Sequence, residues 1–136
     1  MAGETDLAKL LGSMRPELVP GVYVFVTLHL SQRPPDGVEP LMTFQEAEGR
    51  TCILAEDDAR KAGLAGIYRC RMITLTVHSS LEAVGFLAAV TARLAAAGIS
   101  VNPVSACHHD HLFVPAERAD EAMAILADLA ARHRGG

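Results

Sequence analysis

The second half of the chain arranges its predicted elements in an order that restricts the fold. An alternating strand at residues 69–77 is followed by an Ala-rich helix that ends at Gly98, two short strands at residues 101–107 and 111–114, and a helix at residues 117–133. A strand–helix–strand connection is right-handed and brings helices to one face of a sheet, so this order is typical of a ferredoxin-like unit. Such a unit ends on a fourth strand, which this half of the chain lacks.

The first half of the chain predicts the other strands. Residues 22–28 are apolar on both faces of an extended segment, which is typical of a buried central strand. Residues 41–55 predict a hairpin with its turn at Gly49, and the polar, Pro-rich residues 31–37 predict an exposed loop. These segments supply the additional strands that the second half needs.

Together these elements predict an α+β fold of two ferredoxin-like (βαββαβ-type) units, each an antiparallel sheet with helices on one face. The chain predicts fewer strands than two complete units contain, so we expect the units to share strands. We place an N-terminal unit at residues 1–66 and a C-terminal unit at residues 67–136. Residues 22–28 are the expected donor of the missing fourth strand.

The charge pattern argues against nucleic acid and membranes as partners. The formal net charge is -4 at pH 7, and no run of Lys or Arg exceeds two neighbours. Binding to phosphate backbones or anionic lipids requires a basic patch. The most apolar stretch, residues 86–99, is interrupted by Arg93 and is too short to span a bilayer. We therefore expect neither partner.

The cysteine content indicates a reducing compartment. Cys52, Cys70 and Cys107 are odd in number, widely spaced and form no CxxC pair, which argues against a disulfide framework and a Cys-rich zinc site. The N-terminal residues carry charges and lack the apolar stretch of a signal peptide. We therefore expect a cytoplasmic protein.

The turn between the strand at residues 69–77 and the following helix is a candidate binding site. Ser79 stands three residues before Glu82, a spacing that predicts a capping box and a helix beginning at Ser79, with Val84 on its buried face. The free amides of a helix N-terminus can hold a carboxylate. An amine would need an acceptor such as Asp110 or the side chain of Asn102.

Several stretches of the chain resemble the ACT domain family. They are ITLTVHSSLEAVG at residues 73–85, AGISV at residues 97–101 and HDHLFVP at residues 109–115. The similarity is greatest to small stand-alone bacterial ACT proteins with two units in tandem. LLGSMRP at residues 10–16, PGVYVF at residues 20–25 and TFQEAEG at residues 43–49 are similar to their first half.

The resemblance implies a regulatory module that binds a small molecule, most often an amino acid, and has no catalytic activity or cofactor of its own. It implies a site at the first strand-to-helix turn and on a facing segment, and a homodimer that reports its ligand to an enzyme, here unidentified. The implied ligand-binding residues are His78, Ser79, Ser80, Leu81, Val84, Gly85, Asn102, His109, Asp110 and His111.

A metal-binding module is an alternative that the histidine-rich hairpin suggests. Cys107, His109 and His111 alternate, so in an extended strand they share one face. One thiolate and two imidazoles could bind zinc or nickel with a fourth ligand from elsewhere. A tight turn at Asp110 would disrupt this alternation, and a polar turn is the competing interpretation.

Two further alternatives concern catalysis and assembly. His78 with Ser79 or Ser80 and Asp110 contains the residue types of a nucleophilic triad, but adjacent residues at a strand end point apart. An oligomerisation scaffold without a functional ligand site is the other alternative. If the protein responded to no small molecule, this scaffold alternative would be favoured.

Overall fold

The structure, a computed structural model, describes residues 6–134. In chain order its elements are α1 (Leu7–Ser13), β1 (Arg15–Leu18), β2 (Tyr23–Leu28), β3 (Met42–Gln45), β4 (Arg50–Ala55), α2 (Glu56–Lys61), β5 (Ile67–Thr76), α3 (Phe86–Ala96), β6 (Asn102–Ser105), β7 (Asp110–Pro115), a 3₁₀ turn (Ala116–Arg118) and α4 (Ala119–Arg132).

The described chain divides into two compact units. Residues 6–20 and 71–134 form one, the terminal unit, and Gly21–Cys70 forms the other, the central unit. The division falls within β5, and the first described residues belong with the second half of the sequence rather than with the first. The predicted strand sharing is therefore present.

The sheet of the terminal unit has the strand order β1-β5-β7-β6, which is the order of a ferredoxin-like unit whose fourth strand is β1. Arg15 pairs with Thr76 and Leu18 with Ile73 in an antiparallel register. The expectation that residues 22–28 complete this sheet is wrong. β1 has four residues, of which two are half-buried, so it is too short to show a clear alternation of apolar and polar residues.

The core of the terminal unit lies between this sheet and helices α1, α3 and α4. It buries apolar side chains from all of these elements, including Leu10, Leu11, Met14, Ile73, Leu75, Phe86, Val90, Leu94, Leu112, Val114, Ala122 and Leu126. Pro103, which lacks an amide hydrogen, lies on β6 at the edge of this sheet.

Helix α1 is fixed at both ends. Its N-cap is Asp6, whose side chain accepts a hydrogen bond from the backbone amide of Lys9 at 3.0 Å. At its other end the Arg134 guanidinium donates to the carbonyl oxygens of Gly12 (3.0 Å) and Met14 (3.3 Å). These contacts hold α1 against the C-terminal end of α4.

The sheet of the central unit has the order β3-β4-β2-β5, again that of a ferredoxin-like unit. The predicted hairpin is confirmed, since Gly49 and Glu46 exchange backbone hydrogen bonds between β3 and β4. Within Gly21–Cys70, α2 is the only α-helix, and residues 29–41 form a loop where such a unit has its first helix. Val38 from this loop packs on the core side chains of the sheet.

None of the helices within residues 6–134 combines the length and the apolar character that crossing a membrane would require.

The contact between α1 and α4 generates a stability prediction at Gly12. A Cβ at this position would lie 2.6 Å from the backbone carbonyl oxygen of His133, so one of the two helices must shift. A Gly-to-Ala change inside a helix normally gains up to about 1 kcal/mol. We expect Gly12→Ala to lose about 1–3 kcal/mol instead, because the added methyl overpacks a backbone contact.

Urea unfolding measures this difference in free energy, with Ser13→Ala, at an exposed position of the same helix, as the control. An unfolding free energy for Gly12→Ala equal to or above that of the wild type would contradict the close approach of the two helices.

Candidate functional site

The loop at residues 77–85, between β5 and α3, borders a pocket of about 130 Å³ in the terminal unit. The lining residues come from this loop, from the first turn of α3 and from the β6–β7 hairpin. They are Ser79, Ser80, Leu81, Ala83, Phe86, Leu87, Ser105, Ala106 and Asp110.

Asp110 is the one acidic residue of this lining, and its residue surface is only 8% exposed. The Ser79 hydroxyl donates to its Oδ2 atom at 3.3 Å, and the Ser105 hydroxyl donates to Oδ1. Ser105 is placed for this contact because it pairs with Asp110 in the β6–β7 register. Two hydroxyl groups therefore orient the carboxylate.

The carboxylate of Asp110 has no cationic partner at salt-bridge distance among residues 6–134. A buried charge is costly unless a countercharge or a full set of hydrogen bonds stabilises it. The pocket therefore presents negative charge that its own side chains do not neutralise.

The helix that borders the pocket begins later than the sequence predicts. Its first residue is Phe86 and its N-cap is Gly85, which has a φ of +93° and forms no side-chain cap. The predicted capping box of Ser79 and Glu82 is wrong, because both residues lie before the helix; the Ser79 hydroxyl donates to Asp110. The Ser80 hydroxyl accepts from the Glu82 amide at 3.0 Å, which stabilises a turn rather than a helix.

This late start also changes the buried face of α3. Phe86, Val90 and Leu94 point into the core, at four-residue spacing. Val84, which the sequence places on the buried face, lies before the helix and is 83% exposed. The first-turn amides of α3 have no side-chain cap, and the first two residues of the helix, Phe86 and Leu87, line the pocket.

The structure brings only some of the predicted site residues together. Ser79, Ser80, Leu81 and Asp110 line the pocket, and Gly85 lies next to it at the helix start. The remaining predicted residues, His78, Val84, Asn102, His109 and His111, do not line it. Asn102 is exposed at the far end of β6, where it pairs with Phe113.

His109 and His111 of the hairpin lie next to each other, with ring centroids 6.4 Å apart, but their hydrogen-bond partners differ. His109 is within 3.4 Å of the Val77 carbonyl oxygen through Nδ1, and Nδ1 of His111 lies 3.0 Å from the Thr74 hydroxyl. The rings of His78 and His108 are 6.2 Å apart. Over the described part of the chain, no three or more His, Cys, Asp or Glu side chains are grouped to hold a metal ion.

A larger open crevice of about 800 Å³ lies in the central unit, along the loop at residues 29–41. None of its lining residues is buried, and one of its two arginines, Arg50, already donates to the carbonyl oxygen of Gln32 at 3.0 Å. It lacks the buried, charged group that marks the pocket at Asp110, which is therefore the candidate site.

Two family models match the chain, at residues 2–71 and 67–128, and both describe an ACT domain. The chain belongs to the ACT domain family. Modules of this family have a regulatory role and bind small molecules. No curated protein matches the sequence significantly.

Solved structures support the same fold for this ACT protein. A Vibrio cholerae protein of unknown function, described as a possible transport protein, is 44% identical over 91% of this chain and 95% of its own, with a TM-score of 0.83. An Agrobacterium tumefaciens protein is 17% identical over 86% of this chain and 89% of its own, with a TM-score of 0.72.

The regulatory subunit of aspartate kinase from Thermus thermophilus is 14% identical, with a TM-score of 0.65, over 84% of this chain and 95% of that chain. At this level of identity the likeness shows the fold alone. The ferredoxin-like fold of the ACT family, predicted from the sequence, is confirmed.

Sequence reasoning missed five lining residues of this ACT protein: Ala83, Phe86, Leu87, Ser105 and Ala106. A signal existed for Ser105, because a turn at residues 106–109 pairs residue 105 with Asp110 across the hairpin. The positions in α3 carried no usable signal, since they depend on where the helix begins.

The environment of His111 predicts a pH dependence of stability. Burial, and then the neighbouring His109 ring, lower the pKa of His111 below its usual 6.5, and Asp110 opposes them. Below pH 6.5 the unfolded chain binds a proton on this residue that the folded chain binds only at lower pH. We therefore expect its contribution to stability to be complete above pH 6.5 and to be lost as the pH falls towards the folded pKa.

Thermal unfolding between pH 7.5 and 5 tests this expectation. His111→Gln should flatten the slope below pH 6.5, whereas His108→Gln, an exposed position in the same hairpin, should keep it. An unchanged slope in His111→Gln would contradict the assignment.

Proposed function

We propose that this ACT protein binds a free amino acid in the pocket at the β5–α3 loop and regulates another protein, without catalysing a reaction. The observation that carries the proposal is the buried Asp110 carboxylate, which faces the pocket and has no ion-pair partner in the described chain. The ammonium group of an amino acid would supply the countercharge and would donate hydrogen bonds to this carboxylate.

The other end of the amino acid would meet the start of α3. The backbone amides of the first turn carry a partial positive charge and lack a side-chain cap. Phe86 and Leu87 belong to both this turn and the pocket lining. A ligand carboxylate at these amides and an ammonium at Asp110 would both lie in this one small pocket.

The loop at residues 77–85 suggests how binding could be reported. Leu81 is 68% exposed and Val84 is 83% exposed, so the loop presents apolar side chains beside the pocket. A ligand shifts an equilibrium between conformations by the difference in its affinities for them. Contacts with Leu81 would favour one loop arrangement, and a partner surface that reads this loop would respond to the ligand.

The partner belongs to the same proposal. We expect a homodimer that forms through a sheet edge, and an enzyme whose activity the dimer controls. The fold shared with the regulatory subunit of aspartate kinase from Thermus thermophilus is consistent with such a role. A cytoplasmic location is also proposed, since Cys52, Cys70 and Cys107 are free thiols, as in reducing compartments.

Thermal unfolding against the amino acids, with and without a chelator, tests the proposal. A ligand at roughly one hundred times its Kd adds about 2.7 kcal/mol of stability, which corresponds to a rise in Tm of several degrees. We expect such a rise with at least one amino acid, unaffected by the chelator. We expect Asp110→Asn to abolish it, because the isosteric amide carries no charge.

Glu82→Gln is the matched control, because it removes one negative charge from the same loop at an exposed position outside the pocket lining. It should keep the response of the wild type. No response to any amino acid would favour the scaffold interpretation, and a response that Asp110→Asn retains would place the ligand elsewhere.

A further inference from the structure

The hydroxyl groups of the pocket are already engaged in internal hydrogen bonds. Ser79 and Ser105 direct their hydroxyl hydrogens to Asp110, and the Ser80 oxygen accepts from the Glu82 amide. A ligand side chain that accepts hydrogen bonds would compete with Asp110 for the hydroxyl hydrogens of Ser79 and Ser105. Among the lining side chains, the Ser80 hydroxyl is the one with a further hydrogen to donate.

The rest of the lining consists of hydrocarbon side chains. Leu81, Phe86 and Leu87 are the large ones, and Ala83 and Ala106 are the small ones. Apolar side chains of a ligand gain about 25 cal/mol for each Å² of surface that such a wall removes from water. The part of the pocket away from Asp110 and the helix amides is therefore suited to an apolar ligand side chain.

The charges of the lining exclude charged ligand side chains. The lining contains no Lys or Arg, so an acidic side chain would add a second anion beside Asp110 without a countercharge. A basic side chain would bring a second ammonium group, and Asp110 is the single carboxylate available. Burying that second charge against carbon is unfavourable.

The volume of the pocket limits the size of the side chain. The pocket measures about 130 Å³. A cavity of about 150 Å³ can hold benzene, so this space takes a ligand of about six non-hydrogen atoms. This volume fits a ligand with a very short side chain, and longer or aromatic side chains would extend past the walls into solvent.

We infer that the amino acid bound at the β5–α3 loop has a small apolar side chain, in the range from alanine to valine. This inference rests on the proposed function and adds the ligand class to it. The three observations behind it are the engaged hydroxyls, the carbon walls around one carboxylate, and the small volume. In that order, they disfavour side chains that accept hydrogen bonds, charged side chains and large side chains.

Isothermal titration calorimetry of the full chain with alanine, valine, leucine, phenylalanine, serine, aspartate and lysine tests the inference. A methylene more or less in an apolar pocket changes affinity by about 10–200-fold. We expect alanine or valine to bind at least about tenfold more tightly than the other five. Tighter binding of aspartate, lysine, serine or phenylalanine would overturn the inference while the proposed function survives.

Two variants that act in opposite directions test the walls. Leu87→Ala enlarges the pocket, and we expect leucine to gain about tenfold in affinity relative to alanine. Ala106→Val narrows it at an exposed turn position, where the fold tolerates the change, and we expect valine to lose about tenfold relative to alanine.

Val84→Ala is the control, because Val84 is exposed and does not line the pocket, and it should leave the ranking unchanged. If Leu87→Ala and Ala106→Val both keep the wild-type order of amino-acid affinities, the side chain of the bound amino acid lies elsewhere and the inference fails. If no amino acid binds to any of these proteins, the proposed function fails with it.

Discussion

The terminal unit depends on the antiparallel pairing of β1 with β5. Four residues of β1 complete the sheet, and the Val19 amide extends the pairing by donating to the Met72 carbonyl at 2.9 Å. Because β1 follows α1 directly, this pairing also carries α1 onto the other helices, where Leu10 and Leu11 enter the core. The Arg134 contacts to the end of α1 then fix α1 to the end of α4.

Within this framework, Asp110 connects the segments that form the candidate site. Ser79 comes from the loop after β5, Ser105 from β6, and Asp110 from the first position of β7. The hydrogen bonds that orient the carboxylate also engage the hydroxyl hydrogens of Ser79 and Ser105. Apart from Ser80, the other lining residues are apolar.

The features that the sequence predicted are those that local patterns encode. The alternation in β5, the hairpin at Gly49 and the break after α3 at Gly98 follow from period, turn chemistry and the need for positive φ. The predicted start of α3 is wrong because the capping box was inferred from neighbouring residues alone. In the structure the Ser79 hydroxyl donates to Asp110, which belongs to a strand distant in sequence. A side chain that has two possible partners is not assigned by spacing.

The sequence by itself determined the family and the order of the elements apart from β1, because periodicity and local motifs depend on neighbouring residues. Four of the residues that it predicted for the site, Ser79, Ser80, Leu81 and Asp110, line the pocket. Tertiary structure decided which strand completes the terminal sheet, and it decided which side chains form the pocket. β1 has only four residues, too few to show the alternation of a strand. Ser105 lines the pocket because of the hairpin register, and Leu87 lines it because α3 begins late. Contacts between distant residues depend on packing, which no local pattern records.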